Sequence, residues 1–544
     1  MKQSSNRRKS ISIIGSGLGG LSAAIRLANA GYDVTVYEKN ATPGGKARSI
    51  EQSGFRFDTG PSLITMPLVI NELFESVGES PAEWITLIKL TNLCKYFYPD
   101  GTILNAYSDK EKFAAEIEAN TTVKRDALYK YLRYCKTIYD LTADIFLFKD
   151  LYSAKTYSNL KALKTLFKLP KIDSFRTMNE ANRSFFKDEK IIQLFNRYAT
   201  YNGSDPYKCP ATLNIISHVE YSIGGYYASG GMFSLTDAIY RLALKKGVKF
   251  RFNSPVEKIV TDGKRVKGIL ADGKEIPCDG VVSNADVYST YGKLLNDTKS
   301  SAAKKYNKLE PSSSALVFYW GVNSASHKLD AHNILFSADY KKEFEELFDK
   351  KIYPLDPTIY IYISSKFAPN DAPTGKENWF VMINAPNVKR EMSDVKSQTS
   401  KENSFVSPVV GLAGLVPKLT NNQSKSKFVG DNTNTWETTS DQIQKIKQII
   451  LAKIKSVTGY DIKDNIESES IMTPQDIEDE TGSYRGSIYG ISSNSRNAAF
   501  LRQPNMSKHY KGLYFTGGSA HPGGGIPLVI LSGKIAAGKI LRSK

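Results

Sequence analysis

Cysteine is scarce in this chain. The four thiols, Cys94, Cys135, Cys209 and Cys278, are spread over 544 residues and form no CxxC pair. A disulfide framework is therefore excluded, and the pattern reads as that of a reduced cytosolic protein with scattered core thiols. Histidine is nearly as rare, with five residues and neither an HExxH pattern nor any paired ligand spacing, so no metal site is predicted. No run of about 18 apolar residues exists, and nothing is predicted to span a bilayer. Met1 to Ser10 is polar and basic, with no apolar signal core behind it, which predicts a cytoplasmic location. Acidic residues fall short as well: 55 Asp and Glu against 73 Lys and Arg leave a net charge of +18. Such a balance calls for an anionic partner, whether nucleic acid, an anionic cofactor or an anionic membrane surface. Zinc-finger spacing, an RNA-recognition signature and a basic zipper are all missing, which argues against nucleic acid.

What is present is an ordinary globular composition, 41% apolar and 24% charged, in a chain too long for one core. Two or three domains are expected. The first fifty residues carry the clearest signal. Ile11–Ile14 is a short buried-strand pattern, Gly15–Gly20 a glycine-rich turn, and Leu21–Ala30 a helical repeat with Gly31 as its stop. Val34–Glu38 is a second strand. In the GxGxxG pattern, Gly15 permits the tight turn, Gly17 lets backbone approach a pyrophosphate, and Gly20 lets the helix pack on the strand. The helix N-terminus then offers free N–H groups and a positive dipole end to the phosphates. Glu38, closing the second strand, has the position of the carboxylate that accepts the ribose hydroxyls. A nicotinamide dinucleotide fits the same fingerprint.

Three further segments point to a flavin. Pro43-Gly44-Gly45-Lys46-Ala47-Arg48 follows the second strand and is placed to close over the same pyrophosphate. Gly54–Ser62 contains Asp58-Thr59-Gly60-Pro61-Ser62. At the other end of the chain, Gly512–Pro527 contains Thr516-Gly517-Gly518-Ser519-Ala520-His521-Pro522-Gly523-Gly524-Gly525-Ile526-Pro527. Glycines there let backbone lie against a flat ring, and a helix starting near Ile526 stabilises the negative charge that a reduced flavin gathers at N1 and O2.

Together these pieces resemble the FAD-dependent amine-oxidase superfamily, and within it the bacterial phytoene desaturase type of carotenoid desaturase. The match runs over Ile13–Glu38 with Gly44-Gly45, Phe55–Thr65, Val256–Ile259 with Ser283–Asp286, and Leu513–Gly538. Leu528–Gly533 after His521–Pro527 is similar to the hydroxycarotenoid 3,4-desaturases. The resemblance implies an α/β fold, a Rossmann-type FAD-binding domain with an inserted substrate domain of mixed sheet and helices. The FAD-binding parts are expected at 1–107, 246–290 and 471–544, a helical, membrane-facing substrate region at 108–245, and a substrate domain at 291–470 with a surface insertion at 388–435.

The resemblance also implies roles. Gly17, Leu18, Gly19 and Gly20 line the pyrophosphate beside Gly15, and Glu38 holds the adenosine ribose. Lys46 stands where the family has arginine, keeping the charge but losing the planar fork. Gly60, Pro61, Ser62 and Leu63 approach the isoalloxazine, Val256 meets adenine through its backbone, and Asn284 belongs to the cofactor set. Gly518 replaces an acid that many relatives use near the ribitol. Gly525, Ile526, Pro527 and Leu528 lie under the ring. Glu220 and His521 are the candidate proton acceptors, with a capping or packing role as the alternative for each. Tyr221, Tyr226, Tyr227 and Phe233 are either tunnel lining or core.

The reaction implied is removal of a hydride and a proton from adjacent carbons of a lipophilic carotenoid. Lys124–Lys171 holds eleven Lys or Arg against four Asp, with apolar residues interleaved. It reads as a membrane-surface element or as a solvated basic face. A phytoene desaturase or carotenoid oxidase of the same family, another flavin oxidase of the superfamily acting on amines or porphyrinogens, and a non-enzymatic prenyl-binding relative are the competing readings.

Overall fold

The computed structural model describes residues 8–153, 156, 169–388 and 438–543. Part of the basic stretch 124–171 and nearly all of the insertion expected at 388–435 lie outside these residues.

Ser10–Ile14 opens a five-stranded parallel sheet in the order Lys249–Arg251, Asp33–Tyr37, Ser10–Ile14, Gly280–Ser283, Leu513–Phe515. The helix Leu18–Asn29 connects the two N-terminal strands; Gly31, at φ 89°, ends it as read from sequence. The last helix, Ile526–Arg542, packs against it. Contact is close because Gly533 has no side chain: a Cβ there would lie 2.4 Å from the carbonyl oxygen of Gly19. Ser22 Oγ also donates to the Ile530 carbonyl at 2.8 Å. Glycine motifs from the two ends of the chain are thus brought to the carboxyl ends of the strands of one sheet. An antiparallel meander, Val256–Asp262, Arg265–Ala271 and Lys274–Pro277, follows the Asp-Gly turns.

A second, seven-stranded sheet has the order Ile466–Met472, Ser314–Val322, Glu377–Ala385, Ile359–Ile363, His332–Leu335, Asn92–Phe97, Ile103–Tyr107. All its pairings are antiparallel except His332–Leu335 with Asn92–Phe97. Two of its strands therefore come from the segment 1–107 that the sequence reading placed with the FAD-binding domain; pairing, which is invisible locally, assigns them here. One face, with Leu316, Phe318, Ile361 and Val381, packs on Ile446, Ile450, Leu451 and Ile454 of the helix Ser440–Thr458. The opposite face, with Val317, Ile334, Tyr360 and Met382, borders a cavity. Covering on both faces explains why Ser314–Val322 is apolar and buried throughout rather than alternating. The short helical turns Arg197–Asn202, Ala211–Asn214 and Ile215–His218 line the far side of that cavity, with the helix Arg125–Thr142 packed behind the last of them.

Candidate active site

A cavity of about 820 Å³ runs from the glycine-rich loop to the second sheet. Its size suits a dinucleotide together with part of a long ligand. Gly15, Gly17, Leu18, Gly19, Glu38, Lys46, Gly60, Pro61, Ser62, Leu63, Val256 and Asn284 line it, as do Gly518, Gly525, Ile526, Pro527 and Leu528 from the far end of the chain. Gly20 is set back: a Cβ there would meet the Gly15 carbonyl at 2.3 Å, so its absence closes the helix onto the strand rather than clearing the cavity.

The cradle tests well against a dinucleotide. Ser16 N–H and Oγ–H each donate to one Glu38 oxygen at 2.8 Å, and Asn40 N–H donates to the other at 3.0 Å. The carboxylate is thereby held ready on the cavity wall. Gly17 bridges Gly44, whose N–H donates to the Ser16 carbonyl at 3.1 Å, so the Gly44-Gly45 loop does lie over the first loop. A Cβ on Gly17 would strike the Asn284 amide nitrogen at 2.8 Å, and one on Gly19 the Gly517 nitrogen at 2.9 Å. Asn284 itself is fixed by Thr516 Oγ, which donates to its Oδ1 at 3.0 Å. The helix Leu18–Asn29 has no side-chain cap, which leaves its first N–H groups for a ligand.

Lys46 departs from the expected phosphate role. Its ammonium donates to the carbonyls of Ser487 and Ile488, both at 2.9 Å, and burial pulls its pKa down to about 8. It clamps the 483–490 segment to the cradle. Gly518 leaves its carbonyl to Arg502, whose Nη1 donates at 3.2 Å.

The two acid–base candidates part company. Glu220 is 1% exposed and does not reach the cavity. Tyr198 donates to it at 2.7 Å, Tyr201 donates to its other oxygen, and Arg197 Nη2 lies 3.3 Å away. An acceptor so engaged holds its neighbours in place; it is not a free base. Arg197, missed in the sequence, is on the cavity wall between the rings of Tyr96, Tyr198 and Tyr201, at 5.2, 4.5 and 5.4 Å. His521 does line the cavity. Its Nε2–H donates to the Lys149 carbonyl at 3.0 Å, which leaves Nδ1 as its acceptor, and desolvation holds its pKa below the ordinary value. Tyr221, Tyr226, Tyr227 and Phe233 do not border the cavity; Tyr221 stacks on Phe113 at 4.7 Å. Tyr221 and Tyr227 belong to the core, and Tyr226 packs against it.

Beyond the cradle the cavity turns apolar, between Leu213, Ile216 and Val219 on the helical side and Val317, Ile334 and Met382 on the sheet. The family model for flavin containing amine oxidoreductase matches residues 18–402. The chain belongs to this flavin-containing family. The flavoenzyme is 42% identical over 525 residues, 96% of its length and 97% of the relative's, to a 1-hydroxycarotenoid 3,4-desaturase of Flavobacterium sp. (strain P99-3). It is 32% identical to a 4,4'-diaponeurosporene oxygenase of Staphylococcus haemolyticus (strain JCSC1435), covering 98% of this chain and 97% of that one. It is 31% identical to a 4,4'-diapolycopene oxygenase of Methylomonas sp, covering 99% of both. Among solved structures, a redesigned putrescine oxidase superposes with a TM-score of 0.60 at 12% identity over 99% of each chain, a likeness of fold alone. With the fit of the cradle, FAD is the cofactor, and the protein is an FAD-dependent oxidoreductase.

Proposed function

We propose that this flavoenzyme is a carotenoid desaturase that introduces a double bond into a C40 chain, with a hydroxylated carotenoid and its 3,4 bond as the substrate. The reading rests above all on the apolar arm of the cavity, which leads straight from the flavin cradle along one face of the second sheet. Likeness to a 1-hydroxycarotenoid 3,4-desaturase over nearly the full length of both chains supports it. Bound FAD supplies the hydride acceptor. The chain's own residues bind the cofactor, shield the reacting bond with apolar side chains and hold the C–H bond in reach of it, a task of alignment worth several kcal/mol. An allylic C–H beside a polyene is already activated, so no catalytic triad is required. His521 Nδ1 is our candidate acceptor for the accompanying proton; it faces the cavity neutral, whereas Glu220 is spent on Arg197 and two phenols.

A water-insoluble substrate must arrive from lipid, and we infer cytoplasmic, peripheral membrane attachment through the basic stretch 124–171. No helix among the described residues is long and apolar enough to cross a membrane. The test is product analysis in a host that accumulates 1-hydroxylated carotenoids: the expected product is two hydrogens lighter with a lengthened chromophore. An oxygenated product would favour the activity named for the relatives at 31–32% identity, and an unchanged carotenoid profile with flavin bound would refute the desaturase reading.

A further inference from the structure

A polar chain crosses the sheet side of the cavity. His332 and Tyr360 sit on adjacent antiparallel strands of the second sheet, in the register His332 to Tyr362 and Ile334 to Tyr360, which turns both side chains to the cavity face. The Tyr360 hydroxyl lies 2.8 Å from His332 Nδ1 and 2.5 Å from Ser62 Oγ. His332 is 4% exposed, and its Nε2 has no hydrogen-bond partner. Burial pulls its pKa down to about 4, so the imidazole is neutral. Leu63, Leu93, Ile334, Phe380 and Met382 surround this chain on the cavity wall.

The hydrogens can be counted. A neutral imidazole, a phenol and a serine each carry one polar hydrogen, and a phenol can donate only once. Either Ser62 donates to Tyr360 and Tyr360 to Nδ1, which leaves Ser62 Oγ as an acceptor; or Nδ1–H donates to Tyr360 and Tyr360 to Ser62, which leaves the Ser62 hydroxyl as a donor. Both arrangements leave Ser62 with unmet hydrogen-bonding capacity on the cavity wall, at the opposite end of the chain from the unpartnered His332 Nε2. A ligand hydroxyl answers either arrangement, since it donates and accepts. A carbonyl answers one, and a hydrocarbon answers neither and leaves a polar group unpaired.

We propose that Ser62, oriented by Tyr360 and His332, is the site that recognises a hydroxyl group on the substrate. The proposal rests on the desaturase reading given above. In a 1-hydroxylated chain oxidised at its 3,4 bond, the oxygen-bearing carbon is two carbons from the reacting pair. The group that reads the hydroxyl must therefore stand beside the flavin cradle, and Ser62 does: it follows Gly60 and Pro61, and a Cβ on Gly60 would collide with the Lys46 carbonyl of the Gly44–Lys46 loop. Tyr360 and His332 act through Ser62 and are positioning residues.

The test is equilibrium binding to the holoenzyme with its flavin reduced beforehand, so that nothing turns over. Two C40 polyenes that differ only in the 1-hydroxyl are delivered in vesicles, and the shift in polyene absorbance is read. The wild-type protein should prefer the hydroxylated chain by about tenfold, the size of one hydrogen bond made in an apolar site. Ser62→Ala and Tyr360→Phe should each bring the two affinities to within about twofold of one another. Absence of any preference in the wild type, or a preference that survives both substitutions, overturns the proposal. An altered flavin spectrum in Ser62→Ala with the preference intact would mean that Ser62 serves the flavin instead, and also overturns it. If Tyr360→Phe does not hold flavin, Ser62→Ala alone decides. Because binding is read without turnover, failure here leaves the host product analysis standing, and failure there leaves this preference measurable.

Discussion

Replacing Gly525 with valine tests whether the C-terminal motif lies against the flavin. Gly525 precedes the helix Ile526–Arg542 with φ 100° and ψ 148°, a region of backbone space that is essentially glycine's alone. A side chain there costs about 1–3 kcal/mol in strain. It meets no steric obstacle, since a Cβ at 525 has nothing within 4 Å and the residue is on the cavity wall. Valine would thus leave the fold and place two methyl groups in the space beside the first turn of the helix. Pro527 has no N–H, so Ile526 and Leu528 must supply the nearest donors, and displacing them disturbs the alignment of flavin and substrate. The ribose and pyrophosphate contacts at Glu38 and Gly17–Gly19 lie elsewhere and keep most of the flavin affinity. Flavin reduction by substrate under anaerobic conditions should slow by at least about 10²-fold, the cost of a misplacement near 1 Å. The flavin-to-protein ratio should change little. Normal reduction kinetics in a folded, flavin-loaded valine variant would show that the 523–528 segment does not pack on the ring, and the assignment of that motif would fail.

Glu38→Ala should weaken FAD binding by about 1.5–3 kcal/mol, the worth of hydrogen bonds to a charged acceptor, measured by flavin release on dilution; undiminished affinity would remove the ribose from this site. Acid should destabilise the protein in a defined window. His332 keeps a pKa of about 4 against 6.5 for the free group, so the unfolded chain takes up its proton first as pH falls. The stability this contributes is full above pH 6.5 and is lost toward pH 4, about 3 kcal/mol in all. His218 and His521 are shifted in the same direction. Denaturant unfolding at several pH values should show a shallower acid loss in His332→Gln; an identical slope would refute the burial argument. Flotation with anionic vesicles should fall with salt and when Lys161, Lys164 and Lys168, outside the described residues, are neutralised, at about 1 kcal/mol per charge. Unchanged flotation would place the entry face elsewhere.

Local chemistry was legible in the sequence wherever residues near in the chain act together. The turn, helix and strand from Ile11 to Glu38 follow from glycine at Gly15, Gly17 and Gly20, apolar periodicity and a carboxylate at a strand end, and the structure realises each of them. The Asp262-Gly263 and Asp272-Gly273 turns of the meander are local signals of the same kind. Tertiary structure decided everything that depends on separation along the chain. Lys46 looked like a phosphate ligand, but its ammonium is taken by carbonyls more than 440 residues away. Glu220 looked like a base because nothing near it in sequence announces Arg197, Tyr198 and Tyr201 as partners in space. Ile-Tyr-Ile-Tyr-Ile at 359–363 reads as a buried strand in either register, since period two leaves both faces apolar. Only sheet pairing turns Tyr360 toward the cavity and brings it to Ser62, 298 residues earlier, and to His332. A hydrogen bond is specific at about 3 Å, and sequence spacing carries no information at that distance once the contact crosses domains.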